Sequence, residues 1–180
     1  AIRGKGCHDK IKKHANRPDL KIHVSMVINK MNYQDIECFI EEWKDVGVKG
    51  CLFQMYTPIK GLKNDDLWPG WKLRDEILDK LLRLKDEKYG DFIGVPSLVL
   101  KLMKSDKCKE VTRNCIFREV SFCLDPQGQL KKPCMMGPQA DCLRCGCMLP
   151  FHMRVLEDKW LMARELFTSL RRKIGKKALQ

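Results

Sequence analysis

Cys142-x-x-Cys145-x-Cys147 puts three thiols within six residues, and Cys115, Cys123 and Cys134 precede them in the same stretch. Six of the ten cysteines therefore fall between 115 and 147, with Cys108 just upstream. Thiols this crowded cannot all pair with one another, because disulfide geometry limits how near two Cα atoms come. They can converge on a metal, since thiolates are preferred ligands of zinc and of iron–sulfur clusters. This stretch constrains the chain more than any other.

Composition narrows its setting. The chain has 180 residues and a net charge of +12, a balance that favours acidic partners or a lysine-rich solvated surface. No apolar run approaches the 18 or so residues of a membrane span. Residues 1–21 are polar and basic, unlike a secretory leader. Reduced thiols in the cytoplasm are the expectation, and ten cysteines there point to metal or redox chemistry rather than a disulfide frame. The opening IRGKGCHDKIKKH enters a helical pattern without a cap or a strand before it, as the later part of a longer protein would.

Hydrophobic periodicity predicts a helix over 7–17, ended at Arg17-Pro18, with Ile11 as its apolar anchor. KIHVSMVI (21–28) reads as a buried strand. A helix over 33–46, with Asn32 as its cap, carries Ile36, Phe39, Ile40 and Trp43 at helical spacing and stops at Gly47. A second strand, CLFQMYTP, spans 51–58, so strand–helix–strand spacing gives a parallel βαβ unit. After a loop over 59–72, an amphipathic helix over 72–88 presents Leu73, Ile77, Leu78, Leu81 and Leu84. A helix opened by Pro96 and Ser97 follows. Strands over 120–124 and 129–132 flank the turn Asp125-Pro126-Gln127-Gly128. One last helix covers 154–174 and ends in a basic tail of Arg171, Arg172, Lys173, Lys176 and Lys177, read as a solvated helix end.

The order helix, IHVSMVINKMN, helix, GVKGCLFQMYTPIKG resembles the second half of a radical SAM partial (β/α)6 barrel. The series Cys115, Gly128, Cys134, Cys142 and Cys145 resembles the SPASM or twitch auxiliary cluster regions that follow such barrels, although five residues separate Gly128 from Cys134 and Cys147 follows Cys145 closely. The resemblance implies an α/β fold: the C-terminal portion of a partial (β/α)6 TIM-like barrel over 1–105, a small Cys-rich cluster-binding region over 106–153, and a C-terminal helix and basic tail over 154–180. It implies a [4Fe–4S] cluster here, S-adenosylmethionine as cofactor of the full-length protein, and a reductant such as ferredoxin or flavodoxin. The C-x-x-x-C-x-x-C motif that defines the superfamily is nowhere in these 180 residues, so the expectation places it upstream. The substrate, whether small molecule, peptide or nucleic acid, stays unassigned.

The metal ligands expected are Cys142, Cys145 and Cys147, with Cys134 as first choice for the fourth and Cys115 as second. Zinc wants the same ligands, so a zinc-stabilised Cys-rich module that binds nucleic acid is the alternative. No C-x-x-C here opens a helix after a strand, which weighs against a thiol redox enzyme. Cys123 reads as a small core residue, as do Cys7, Cys38 and Cys51, and His152 as a cap or surface group ahead of a ligand. The family's polar cofactor contacts would fall on Ser25 of the first strand and Asn29 just after it. Gln54 of the second would line a cavity at the strand C-termini if it points inward.

Overall fold

The computed structural model describes residues 5–177 apart from 16, 18, 63 and 64, with the side chains of 5–8 and 172–177 outside the description. Its parallel pair forms as the sequence predicts. β1 (His23–Ile28) and β2 (Gly50–Met55) pair in parallel, Val24 opposite Cys51 and Ile28 opposite Met55. Between them α2 (Ile36–Val46) crosses over and buries Ile36, Ile40 and Trp43, each worth about 1.5–3 kcal/mol of transfer free energy. Phe39 stands edge-on to Phe53 with centroids 6.0 Å apart. Gly47 closes the helix at φ 90°, where a side chain would be strained.

A barrel is not what these strands build. The described chain is mostly helical and holds one sheet of two strands, so the partial (β/α)6 TIM-like barrel is overturned. β1 alternates exposed and buried residues along its whole length. Alternation is the signature of a sheet covered on one face, whereas strands of a closed α/β barrel are buried on both. Ser25 and Val27 lie on the uncovered face, exposed, where branched side chains fill a barrel interior. Beyond β2 the sheet gains a single parallel bridge, Cys51 to Ile93. Pro96 follows three residues on and cannot donate to a ladder.

The helices supply the rest of the core. α1 (Lys5–His14) lays Ile11 on it. α3 (Gly70–Leu84) buries Ile77, Leu78 and Leu81, and continues as one wider turn over Lys85–Tyr89. α4 (Ser97–Leu102) is buried along Ser97, Leu98, Val99 and Leu100. α5 (Ser105–Arg113) buries Cys108, Val111 and Thr112, and α6 (Ile116–Val120) is a short turn of helix; of the strands expected over 120–124 and 129–132 only the bridge between Leu124 and Leu130 forms. The turn after it does form. The Gln129 carbonyl accepts from the Asp125 N–H at 2.9 Å, and Leu124 bridges Leu130. The expected final helix is two, α7 (Leu149–Glu157) and α8 (Lys159–Lys177). Asp158 separates them and accepts from the N–H groups of Trp160 and Leu161 at 3.0 and 3.2 Å, an N-cap that restarts the helix.

Candidate metal centre

The Cys-rich segment is fastened to the C-terminal end of β2 by backbone bonds. From Met55 the strand runs on, and residues 139–146 lie antiparallel beside it. Lys60 N–H donates to Gln139 O at 2.7 Å, Asp141 N–H to Pro58 O at 2.8 Å, and Met55 N–H to Gly146 O at 2.9 Å. Ile59 and Ala140 bridge in the same sense. The buried Thr57 hydroxyl accepts from Gly146 N–H at 2.8 Å. At Gly146 a Cβ would lie 1.8 Å from Met55 O, so only glycine lets the two backbones meet here. The segment that carries Cys142 and Cys145 thus lies outside the carboxyl end of a parallel strand, where open α/β sheets place their ligands.

On its other side the segment rests on Arg74. This side chain is fully buried, on the apolar face of α3 with Ile77, Leu78 and Leu81. Its guanidinium donates to Met103 O at 3.0 Å, Cys145 O at 2.9 Å and Arg144 O at 3.4 Å, and reaches Cys108 Sγ at 3.5 Å. Burial pulls its pKa down, with Cys108 the first of the neighbours that oppose this. Trp68 and Trp71 meet edge to face at 5.4 Å and 86°. Arg74 lies 5.8 and 5.3 Å from their centroids, Arg144 covers the Trp68 ring and Lys109 the Trp71 ring. The result is a ladder of cations and indoles: Lys109, Trp71, Arg74, Trp68, Arg144.

The thiols act on one another. Burial raises the Cys115 pKa, the backbone amides of Arg118 and Phe117 pull it back toward the thiolate, and Cys134 and Cys142 raise it further. Burial likewise raises Cys147, opposed by the Leu149 amide and reinforced by Cys134 and Cys115. Burial pushes the Cys145 thiol up to about 12, the Cys147 amide opposes this, and the Cys147 and Cys108 thiols add to it while Arg74 counters. Cys145 thus stands between Cys147 and the Cys108–Arg74 pair. Among the described residues, no group of three or more His, Cys, Asp or Glu side chains is gathered tightly enough to hold a metal ion.

The remaining expected residues are scattered. Ser25 is exposed and Gln54 half-buried on the uncovered sheet face, Gln54 in register with Val27. The Asn29 side chain accepts from Met31 N–H at 2.8 Å and so shapes its own turn. Cys38 is exposed rather than in the core, while Cys51 is buried with its thiol pushed up to about 12 by burial. Cys123 is half-buried, His152 lies half-buried on α7, and the Cys7 side chain lies outside the described residues. Arg74, Thr57 and Gly146 were not expected in any role. Only Arg74 carried a signal, because it sits three, four and seven residues before Ile77, Leu78 and Leu81 and so on their face.

The donor set has the chemistry, though not the gathered geometry, of a thiolate-held group: Cys115, Cys134 and Cys142 are half-buried and Cys147 buried, backbone amides favour the ionised sulfur at Cys115 and Cys147, and hydrogen bonds to sulfur are among the levers that tune iron–sulfur centres. No protein-family model, curated protein or solved structure matches the chain.

Proposed function

We propose that this chain holds one iron–sulfur cluster on Cys115, Cys134, Cys142 and Cys147, and serves as the auxiliary-cluster portion of an S-adenosylmethionine-dependent radical enzyme. The observation that supports it is the mutual influence of the Cys115, Cys134, Cys142 and Cys147 thiols, in a segment whose residues 139–146 are bonded along the carboxyl end of β2. The Cys series carries the radical SAM reading, and the overturned barrel contributes nothing to it. Bound there, such a cluster supplies one-electron chemistry. The chain's own residues bury Cys147, half-bury Cys115, Cys134 and Cys142, and offer amide N–H groups to the Cys115 and Cys147 sulfurs.

The choice of iron over zinc rests on the resemblance of the Cys series, since zinc takes the same thiolate ligands. Anaerobic reconstitution with iron and sulfide, followed by elemental analysis, tests the proposal. Iron and sulfide should load together, and Cys115→Ser, Cys134→Ser, Cys142→Ser and Cys147→Ser should each lower loading well below that of Cys38→Ser. Zinc without iron, or loading indifferent to these four substitutions, would refute it.

A further inference from the structure

α8 is built inside out. A surface helix ordinarily turns its apolar stripe to the core and its charges to water. Here Trp160, Phe167 and Leu170 point away from the body, 82%, 63% and 57% exposed, and Leu166 beside them is exposed too. Spacing of seven and then three residues aligns them along one side of the helix. The side facing the body is held by Leu161, packed on the core, and by Glu165. The Glu165 carboxylate accepts from the N–H groups of Ser97 and Leu98 at 3.2 and 2.8 Å.

Charge identifies the occupant. The sequence of α8 holds seven cations, Lys159, Arg164, Arg171, Arg172, Lys173, Lys176 and Lys177, and a single acid, Glu165. That acid is turned inward onto α4. Among the described side chains, the exposed charges of α8 are Lys159, Arg164 and Arg171. The exposed surface therefore combines aromatic and aliphatic groups with positive charge, the combination that seats a helix in the interface of an anionic bilayer. A second copy of the chain would bring cations against cations. It would also bury little: 19 residues make a helix about 28 Å long. A stripe on it roughly 10 Å wide gives about 300 Å² a side, far short of the ~800 Å² of a stable pair. Nucleic acid would accept the cations but leave Phe167, Leu166 and Leu170 in water.

We infer that α8 is a membrane-surface anchor that lies in the headgroup region of an anionic bilayer, with Trp160, Phe167 and Leu170 inserted and Lys159, Arg164 and Arg171 at the lipid phosphates. It lies on the bilayer and does not cross it, since no described helix is long and apolar enough to span one.

Sedimentation of the purified chain with vesicles tests this. Vesicles of phosphatidylcholine mixed with phosphatidylglycerol should pull the chain down, and vesicles of phosphatidylcholine alone should do so roughly tenfold less well. Phe167→Glu with Leu170→Glu should weaken anionic binding by roughly tenfold or more, and Arg164→Gln with Arg171→Gln should weaken it while sparing the thermal melt. Brominated lipid should quench indole emission in the unaltered chain and fail to do so in Trp160→Phe, a readout independent of the Glu variants' folding. The inference is overturned if anionic vesicles leave the chain in the supernatant at low salt. It is equally overturned if Phe167→Glu with Leu170→Glu binds as before, or if quenching persists in Trp160→Phe. Dimers in the ultracentrifuge that Phe167→Glu dissolves, without vesicle binding, would reassign the stripe to a second copy.

Discussion

Gly146→Ala is the sharpest single perturbation of the site. The added methyl would stand 1.8 Å from Met55 O, 2.3 Å from Met55 C and 2.8 Å from Tyr56 O. All three are backbone atoms of a strand fixed between β1 and the core, so no side chain can swing aside. The 139–146 segment must lift from the strand. That breaks the bonds Met55 N–H to Gly146 O (2.9 Å) and Gly146 N–H to Thr57 Oγ1 (2.8 Å). Two buried donors left without acceptors cost about 1–3 kcal/mol each, or about 2–6 kcal/mol together. Against a domain stability of about 5–15 kcal/mol this is a large loss. Urea unfolding of the two proteins measures it. Gly61→Ala is the control, since nothing lies within 4 Å of a Cβ there, and only the strain of positive φ, about 1 kcal/mol, is at stake. Iron loading should fall with Gly146→Ala and hold with Gly61→Ala. A loss below about 1 kcal/mol at Gly146 would refute the close approach of the two backbones.

Two further predictions concern buried polar chemistry. Arg74→Lys should destabilise the chain by about 2–4 kcal/mol, because an ammonium cannot reproduce a planar fork that serves several carbonyls at once; an unchanged urea midpoint would contradict this. Cys51 and Cys145 carry thiols raised to about 12, so without metal at neutral pH they should resist iodoacetamide while the exposed Cys38 reacts, as peptide mapping would show. The same shifts set a pH dependence. From the ordinary 9.0 up to about 12 the unfolded chain loses these protons while the folded chain keeps them. Stability is therefore fully present below pH 9 and falls as pH rises toward 12. A flat stability profile over that window would rule the shifts out.

The βαβ unit was legible because every level of the sequence agreed on it. β-branched strand residues, helical spacing at Ile36, Phe39, Ile40 and Trp43, and Gly47 as a stop all point the same way. The one-sided cover of β1 was less legible: HVSMVI alternates only over His23–Met26, and the apolar run Met26-Val27-Ile28 hides that Val27 is exposed. α5 was hidden, since SDKCKEVTR offers few apolar positions. Its start is set from a distance, by Asp75 Oδ1 accepting from Ser105 N–H at 2.9 Å. The break at Asp158 had a local signal in an aspartate placed to cap. The site was legible as a set of thiols, but its docking was not. Nothing in the spacing of Cys142, Cys145 and Cys147 says what the segment packs against. That comes from Arg74 under Cys145 O and from Gly146 against Met55, contacts between residues far apart in sequence.

The ladder of cations and indoles gives this chain an optical reporter at its centre. Two indoles 5.4 Å apart and nearly perpendicular couple their electronic transitions. One is capped by Arg144, which belongs to the Cys-rich segment itself. Whatever seats or lifts that segment also changes the surroundings of Trp68. Near-ultraviolet circular dichroism of the unlabelled protein would therefore follow the docking of the Cys-rich segment directly.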